Sequence, residues 1–243
     1  MEGAVKPCMR LTRKKRDYIV VSVGGSLIVP KDIDLPFLHR FRALLKKKIQ
    51  SGSSFFIIAG GGKLARNYQE AAKEVRAEEG LEREDADWLG IHSTRLNAHL
   101  LRTLFKEDAQ SKIVKNYDRK ISPRASVIIG AGWKPGWSTD YDAVIAAKHL
   151  GAKKLVNLSN IDYVYTADPR KDPTATKIEK IGWAEFRKLI PEEWDPGLSS
   201  PFDPVAAKEA EALGLEVVIM NGAKLEEFEN YLEGRPFIGT VIS

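Results

Sequence analysis

The chain has 243 residues, of which 43% are hydrophobic and 29% are charged, a composition typical of a soluble globular protein with one or two domains. This composition excludes a disordered or fibrous chain, and no apolar run approaches the roughly 18 residues that a membrane span requires. The formal net charge is +5, and residues 1–16 supply it, because six basic side chains there accompany one acid.

We interpret residues 1–17 as a basic, solvated tail that precedes one domain spanning residues 18–243; an arm that binds anionic partners is the alternative. Because the rest of the chain sums to zero charge, we expect no nucleic-acid partner, and the absence of a long apolar run predicts no membrane partner. The N-terminus lacks the apolar region of a secretory signal, and the single cysteine, Cys8, has no partner for a disulfide. We therefore expect a cytoplasmic protein.

Short apolar runs alternate along the chain with helical patterns. The predicted strands are Tyr18–Val23, Phe55–Ala59, Ser126–Ile129, Lys154–Leu158 and Glu216–Met220. Helices are predicted over residues 35–50, 64–79 and 85–105, then from a cap at Ser138 or Thr139 to Leu150, and from the Asp203–Pro204 cap to Gly214. Residues 162–177, rich in Asp-Pro pairs, are predicted to form an ordered loop or hairpin. Strands in which apolar and polar residues do not alternate, joined by helices, predict a three-layer αβα sandwich with a mainly parallel central sheet.

Glycine clusters follow three of the predicted strands, at residues 24–25, 60–62 and 130–132. At the carboxyl ends of parallel strands they favour a ligand with more than one phosphate, although tight turns alone also require glycine. A Walker A loop is excluded because Leu64 follows Lys63, and the spacing after Gly130 excludes the dinucleotide fingerprint. The four histidines have no metal-ligand spacing, so we predict no protein-bound metal site.

Four small or polar residues of the helix over 85–105 share one face. Asp87, Gly90, Thr94 and Asn97 are spaced by three, four and three residues, which places them within about 80° around the helix. The stripe is either a solvated face or a surface that approaches a ligand closely. Arg66 lies in the first turn of the preceding helix, where a cation opposes the helix dipole unless an anion binds beside it.

Six segments in order resemble the amino acid kinase superfamily, and in particular its archaeal-type UMP kinases. They are YIVVSVGGS (18–26), GGGKLARNY (60–68), DWLGIHSTRLN (87–97), GAGWKPGWSTD (130–140), NIDYVYTADPRKDPTAT (160–176) and DPVAA (203–207). The resemblance covers about residues 18–243. Isopentenyl phosphate kinases are similar in fold but are expected to carry a histidine after the glycine cluster, where this chain has Lys63, Leu64 and Ala65.

The resemblance implies Mg²⁺-dependent phosphoryl transfer from ATP to UMP, and an assembly of identical chains, expected to be a hexamer. It implies UMP contacts from Gly61, Asp87, Thr94, Trp133, Lys134, Ser138 and Thr139. It implies ATP contacts from Gly25, Ser26, Gly62, Arg66, Ser159, Tyr165 and Asp168. The implied catalytic residues are Lys63, Arg66, Lys134 and Asp203. For Asp203, simple capping of the following helix is the alternative.

One position departs from the pattern. Many relatives have a phosphate-bridging lysine two residues before the first glycine of the Gly-Gly pair, and this chain has Ser22 there. Lys63 or Lys134 is predicted to supply the missing charge. The tryptophans at 133 and 137 and the PGLSSPFDP segment (196–204) also differ from the common pattern. The alternatives are therefore a nucleotide- or oxyanion-binding protein without turnover, or a kinase for another small phosphate.

Overall fold

The computed structural model describes residues 16–192 and 200–243. The interpretation of the basic tail, up to residue 15, and of residues 196–199 concerns positions outside these ranges. The strands are β1 (Tyr18–Val23), β2 (Ser54–Ala59), β3 (Val127–Gly130), β4 (Lys154–Ser159), β5 (Val164–Tyr165), β6 (Lys177–Ile178), β7 (Lys180–Ile181), β8 (Glu216–Asn221) and β9 (Thr240–Ile242). The helices are α1 (Gly25–Ile28), α2 (Leu35–Gln50), α3 (Gly62–Val75), α4 (Arg83–Leu104), α5 (Thr139–Leu150), α6 (Trp183–Leu189), α7 (Pro204–Ala212) and α8 (Leu225–Leu232).

A seven-stranded sheet in the order β3-β2-β1-β4-β8-β9-β7 forms the centre of the fold. The pairs from β3 to β8 are all parallel, and β9 runs antiparallel to β8. The carboxyl ends of β1, β2, β3, β4 and β8 consequently lie along one edge of the sheet, which we call the site edge. The predicted mainly parallel αβα sandwich is confirmed.

Both faces of the sheet are buried because successive side chains of each strand enter different cores. Val20 packs with residues of α5, α6 and α7, whereas Val21 packs with residues of α2, α4 and α8. This two-sided burial explains why the strands are continuous apolar runs rather than alternating ones. The sandwich therefore has a helical layer on each side.

Both predicted caps of α5 and the predicted N-cap of α7 are confirmed by their geometry. The Ser138 hydroxyl accepts a hydrogen bond from Tyr141 N, and Gly151 ends α5 in the left-handed conformation with φ of 65°. The Asp203 carboxylate accepts a hydrogen bond from Ala206 N at 2.7 Å, with Pro204 at the first helical position. The helix predicted over 64–79 was shifted, since α3 begins at Gly62 and ends at Val75.

The segment over 162–177 forms the predicted hairpin, in which β5 pairs with β6 in an antiparallel two-stranded sheet. The Thr240 hydroxyl of β9 accepts a hydrogen bond from Val164 N, which ties the hairpin to the main sheet. Across residues 16–192 and 200–243, no helix combines the length and apolarity needed to cross a membrane.

Candidate active site

Two glycine turns meet at the site edge, where β1 and β2 end. A Cβ atom on Gly25 would lie 2.0 Å from Gly62 N, and one on Gly62 would lie 2.2 Å from Gly25 O. Gly62 also has a φ of 67°, and a Cβ on Gly61 would lie 2.7 Å from Ala65 Cβ. Gly25 and Gly62 are therefore required by the approach of one backbone to another, and the predicted nucleotide contacts of all three glycines stay predictions.

The polar stripe of α4 binds the chain on both sides of the site edge. The Asp87 carboxylate accepts a hydrogen bond from Gly136 N at 2.7 Å. The Asn97 amide donates to Gly60 O at 2.8 Å and to Gly61 O at 3.2 Å. Since these contacts link the glycine turn after β2 to the loop after β3, the stripe is not a solvated face.

Thr94, predicted to contact UMP, lies buried in the middle of this stripe. Its hydroxyl donates to Ile91 O at 2.6 Å and accepts from Gly132 N at 2.8 Å. Both hydrogen-bonding functions of the hydroxyl are thus used within the protein. In this geometry Thr94 positions the loop after β3.

That loop, residues 132–138, is rich in aromatic contacts, and we call it the tryptophan loop. Trp133 is 9% exposed and its ring lies 5.1 Å from the ring of Trp137. The Lys134 ammonium lies 3.9 Å from the Trp133 ring centroid and 4.8 Å from that of Trp137. Cation–π attraction therefore holds the predicted catalytic lysine against two indoles. The predicted UMP contact Thr139 follows this loop as the first residue of α5.

Two carboxyl groups come together where α5 and α7 begin. Burial, with the charge of Asp203 in addition, raises the pKa of Asp140 to about 7. The Ser22 hydroxyl and the Asp203 backbone N–H are hydrogen-bond donors that oppose this rise, the hydroxyl at 3.4 Å. Burial also raises the pKa of Asp203, against hydrogen bonds from Ala206 N and the Ser138 hydroxyl. Ser22, at the position of the missing lysine, thus adjoins a partly buried acid.

Asp142 follows Asp140 in the first turn of α5, and its side chain is fully buried. Burial raises its pKa well above the usual range, while Trp133 N–H, Arg95 and Lys134 act in the opposite direction. Sequence reasoning missed the roles of Asp140 and Asp142. The available signal was a pair of acids in the first turn of a predicted helix, which is also the ordinary pattern of a solvated helix start.

The predicted phosphate-binding cations differ in how they are held. Lys63 forms an ion pair with Glu70 at 3.3 Å. Arg66 is exposed on α3 and makes no hydrogen bond or ion pair with any residue in the ranges that the structure describes. Arg66 is therefore free to bind an anion from solution.

The residues predicted to bind ATP come from two parts of the fold: Gly25, Ser26, Gly62 and Arg66 lie in α1 and α3, whereas Ser159, Tyr165 and Asp168 come from β4 and the hairpin. Ser159 ends β4 at the site edge, and Tyr165 lies in β5 of the hairpin. The Asp168 carboxylate is held by two nitrogens of the Arg170 guanidinium at 3.0 Å each, so it is already engaged. Sequence reasoning missed Asp162, which binds Asn221 and Lys224 beside the end of β8.

Asp140 and Asp203 are the acids that fit a magnesium ion carried by a nucleotide. Magnesium is commonly held by one or two carboxylates together with phosphate oxygens and water. No group of three or more His, Cys, Asp or Glu side chains suited to a metal occurs among residues 16–192 and 200–243. A pair of carboxylates suits a magnesium ion whose other ligands are phosphate oxygens and water.

Comparisons with known proteins agree with this geometry. The sequence profile of the amino acid kinase family matches residues 17–221. A uridylate kinase of Methanospirillum hungatei is 33% identical over 228 residues, which are 93% of this chain and 94% of that protein. A uridylate kinase of Methanosarcina barkeri is 36% identical over 219 residues, 88% of this chain and 91% of that protein.

A solved structure gives the same result in three dimensions. The crystal structure of uridylate kinase from Archaeoglobus fulgidus superposes with a TM-score of 0.77 at 28% identity, covering 93% of this chain and 99% of that one. The chain belongs to the amino acid kinase family, on the branch whose archaeal members are named uridylate kinases.

Proposed function

We propose that this protein transfers the γ-phosphoryl group of ATP to UMP, which yields UDP and ADP. The observation that carries the proposal is the α4 stripe, where Asp87, Thr94 and Asn97 join the glycine turn to the tryptophan loop. These motifs belong to a chain that is about one-third identical to uridylate kinases over most of its length.

The acceptor nucleotide is assigned to the space beside α4 and the tryptophan loop. Asp87 is only half-buried, and one carboxylate oxygen binds Gly136 N, which leaves the other oxygen for a ribose hydroxyl. Gly61, Trp133, Ser138 and Thr139 line the same region in this proposal. Carboxylate-to-hydroxyl bonds of this kind are charge-assisted and favour the nucleotide over a simple phosphate ester.

Phosphoryl transfer requires in-line positioning and positive charge around the moving group. Arg66 supplies a guanidinium that can bind two phosphate oxygens, and Lys63 and Lys134 supply further charge. On the ATP side, Gly25, Ser26, Gly62, Ser159, Tyr165 and Asp168 are assigned to the donor nucleotide. The magnesium ion that accompanies ATP neutralises charge on the phosphates, and Asp140 and Asp203 are the residues that would hold it.

The serine at position 22 favours a second candidate, a protein that binds nucleotides or oxyanions without turnover. Ser22 faces Asp140 where many relatives have a phosphate-bridging lysine. A kinase for another small phosphate, such as isopentenyl phosphate, is the third possibility. The three candidate functions predict different results in the same assay.

The test is to incubate the purified protein with Mg-ATP and, separately, UMP, CMP, AMP or isopentenyl phosphate, while ADP release is followed. Turnover fastest with UMP supports the proposal. Fastest turnover with isopentenyl phosphate assigns the third function. Nucleotide binding by calorimetry without ADP release from any acceptor assigns the second.

We also propose that the protein assembles into a homo-oligomer, with a hexamer as the expected form, in the cytoplasm. Large apolar side chains on the outer faces of α3 and α4 support assembly: Val75 is 85% exposed, Leu96 62% and Tyr68 57%. Light scattering coupled to size-exclusion chromatography measures the mass, and a mass of one chain would refute this part.

A further inference from the structure

The backbone of the tryptophan loop is held at its start entirely by side chains. Gly132 N donates to the Thr94 hydroxyl, and the Arg95 guanidinium donates to Gly132 O at 3.3 Å and to Trp133 O at 2.9 Å. The remaining group, Trp133 N–H, donates to Asp142 Oδ2 at 3.1 Å. The backbone N–H and C=O groups of both residues, four groups in all, therefore form hydrogen bonds with side chains of α4 and α5.

Asp142 is an unexpected choice for this position. Its side chain is fully buried, and its Oδ1 atom is without a hydrogen-bond partner in the part of the chain that the structure describes. Burying a carboxyl group with one unpaired oxygen costs free energy that an apolar side chain would not cost. Among residues 16–192 and 200–243, the contact with Trp133 N–H is the one hydrogen bond of this carboxyl group that offsets the cost.

Trp133 connects the Asp142 contact with the other side chains of the tryptophan loop. Its indole packs against Trp137, and the ammonium of Lys134 lies over both rings. A shift of the Trp133 backbone therefore moves Lys134 and both indoles together. The far end of the loop is fixed separately, by Asp87 at Gly136.

We propose that Asp142 is a positioning residue that, together with Arg95, sets the tryptophan loop in the geometry that binds the acceptor nucleotide. Asp142 touches no substrate and acts through the Trp133 backbone. The inference rests on the proposed function, because it assigns the loop to the acceptor. It predicts that changes at Asp142 alter acceptor binding and leave the donor side unchanged, since Asp142 forms no hydrogen bond or ion pair with Ser159, Tyr165 or Asp168 in the part of the chain that the structure describes.

The experiment compares two variants of the full chain. Asp142→Asn keeps an oxygen that accepts from Trp133 N–H, whereas Asp142→Leu is similar in size and keeps none. We expect Asp142→Asn to retain a KM for UMP within about threefold of the unmodified protein. We expect Asp142→Leu to raise the KM for UMP at least tenfold while the KM for ATP stays within about twofold, because a buried N–H loses its acceptor.

A matched control separates positioning from general destabilisation. Lys48 is another buried charged residue, paired with Glu233 near the end of α2. Lys48→Met should lower the melting temperature with no selective change in the KM for UMP. Should Asp142→Leu fail to fold, Arg95→Met tests the same loop, with the same expected rise in the KM for UMP.

Three results would overturn the inference. They are an equal rise in both KM values for Asp142→Leu, an effect of Lys48→Met matching that of Asp142→Leu, or an Asp142→Asn variant as impaired as the leucine variant. Unmodified protein that turns over no acceptor refutes the proposed kinase activity instead, and the same comparison is then made on UMP affinity by calorimetry. Unmodified protein that binds no UMP overturns both.

Discussion

Replacing Asp140 by asparagine should change how the stability of the protein depends on pH. Burial and the neighbouring charge of Asp203 raise the pKa of the Asp140 carboxyl from 3.8 to about 7. Folding therefore favours the protonated form, so this contribution to stability is fully present below the pKa of the unfolded chain. It is lost as the pH rises through the pKa of the folded protein.

The size of the effect follows from the difference between the two pKa values. About three pKa units correspond to about 4 kcal/mol in total. Linkage places roughly 2–3 kcal/mol of that loss between pH 5 and pH 8. For a chain of this length the same free energy corresponds to roughly 5–10 °C in melting temperature. Asparagine does not titrate. Between pH 5 and pH 8, the free energy of unfolding of Asp140→Asn should therefore rise by that amount relative to that of the unmodified protein.

The assay is urea-induced unfolding of both proteins at pH 5 and pH 8, with EDTA and at one protein concentration. Other acids titrate in both proteins, so the difference between the two curves isolates Asp140. Asp118→Asn is the control, because this exposed carboxylate makes no hydrogen bond or ion pair within the described residues. A difference that stays constant between the two pH values, or an equal change in the control, would refute the reasoning.

Three further predictions concern the site. Asp87→Ala should weaken UMP binding by about one to two orders of magnitude and leave an unreactive ATP analogue unaffected, since charge-assisted bonds contribute roughly 1.5–3 kcal/mol each; calorimetric titration with both ligands measures this, and equal losses would remove Asp87 from the acceptor site. Lys63→Met or Lys134→Met should lower kcat by orders of magnitude, because positive charge at the moving phosphoryl commonly contributes several kcal/mol; near-normal kcat in both variants would mean that another cation acts there. Gly62→Ala should destabilise the protein far more than Gly80→Ala, as measured by urea unfolding. Both glycines have a positive φ, but only at Gly62 would a Cβ meet backbone, 2.2 Å from Gly25 O. Equal losses of unfolding free energy would contradict the steric argument.

The parallel half of the fold could be predicted because its signals are local. Strands buried on both faces require continuous apolar runs, and the five predicted strands fall within one residue of the observed bounds at each end. The caps at Ser138 and Asp203 are side-chain hydrogen bonds to residues three positions away. Signals of this range are complete within a short stretch of sequence.

The missed strands β7 and β9 have no such signal. β7 has two residues and β9 has three, which is too short to show a period. β9 exists because Thr240–Ile242 pairs antiparallel with β8 on one side and parallel with β7 on the other. Only tertiary pairing defines these strands, and the sequence does not encode that pairing locally.

The candidate site also has a part that the sequence predicts and a part that it does not. The common face of Asp87, Thr94 and Asn97 follows from helical geometry alone and was predicted. Their partners lie 36 to 49 residues away along the chain and are brought near by the order of the strands. The period of a helix shows which residues point the same way, but the topology of the sheet decides what they touch.

Ser22 shows how one substitution redistributes charge in such a site. The serine hydroxyl carries no charge and donates a hydrogen bond to Asp140 Oδ1 at 3.4 Å. Burial is the main cause of the raised pKa of the Asp140 carboxyl, and the charge of Asp203 adds to it. Of the predicted phosphate-binding cations, Lys63 pairs with Glu70 and Lys134 lies over two indoles, whereas Arg66 makes no hydrogen bond or ion pair within the described residues. The prediction that Lys63 or Lys134 takes the place of that lysine assigns this charge either to the first turn of α3 or to the tryptophan loop, where we propose that Asp142 and Arg95 set the backbone.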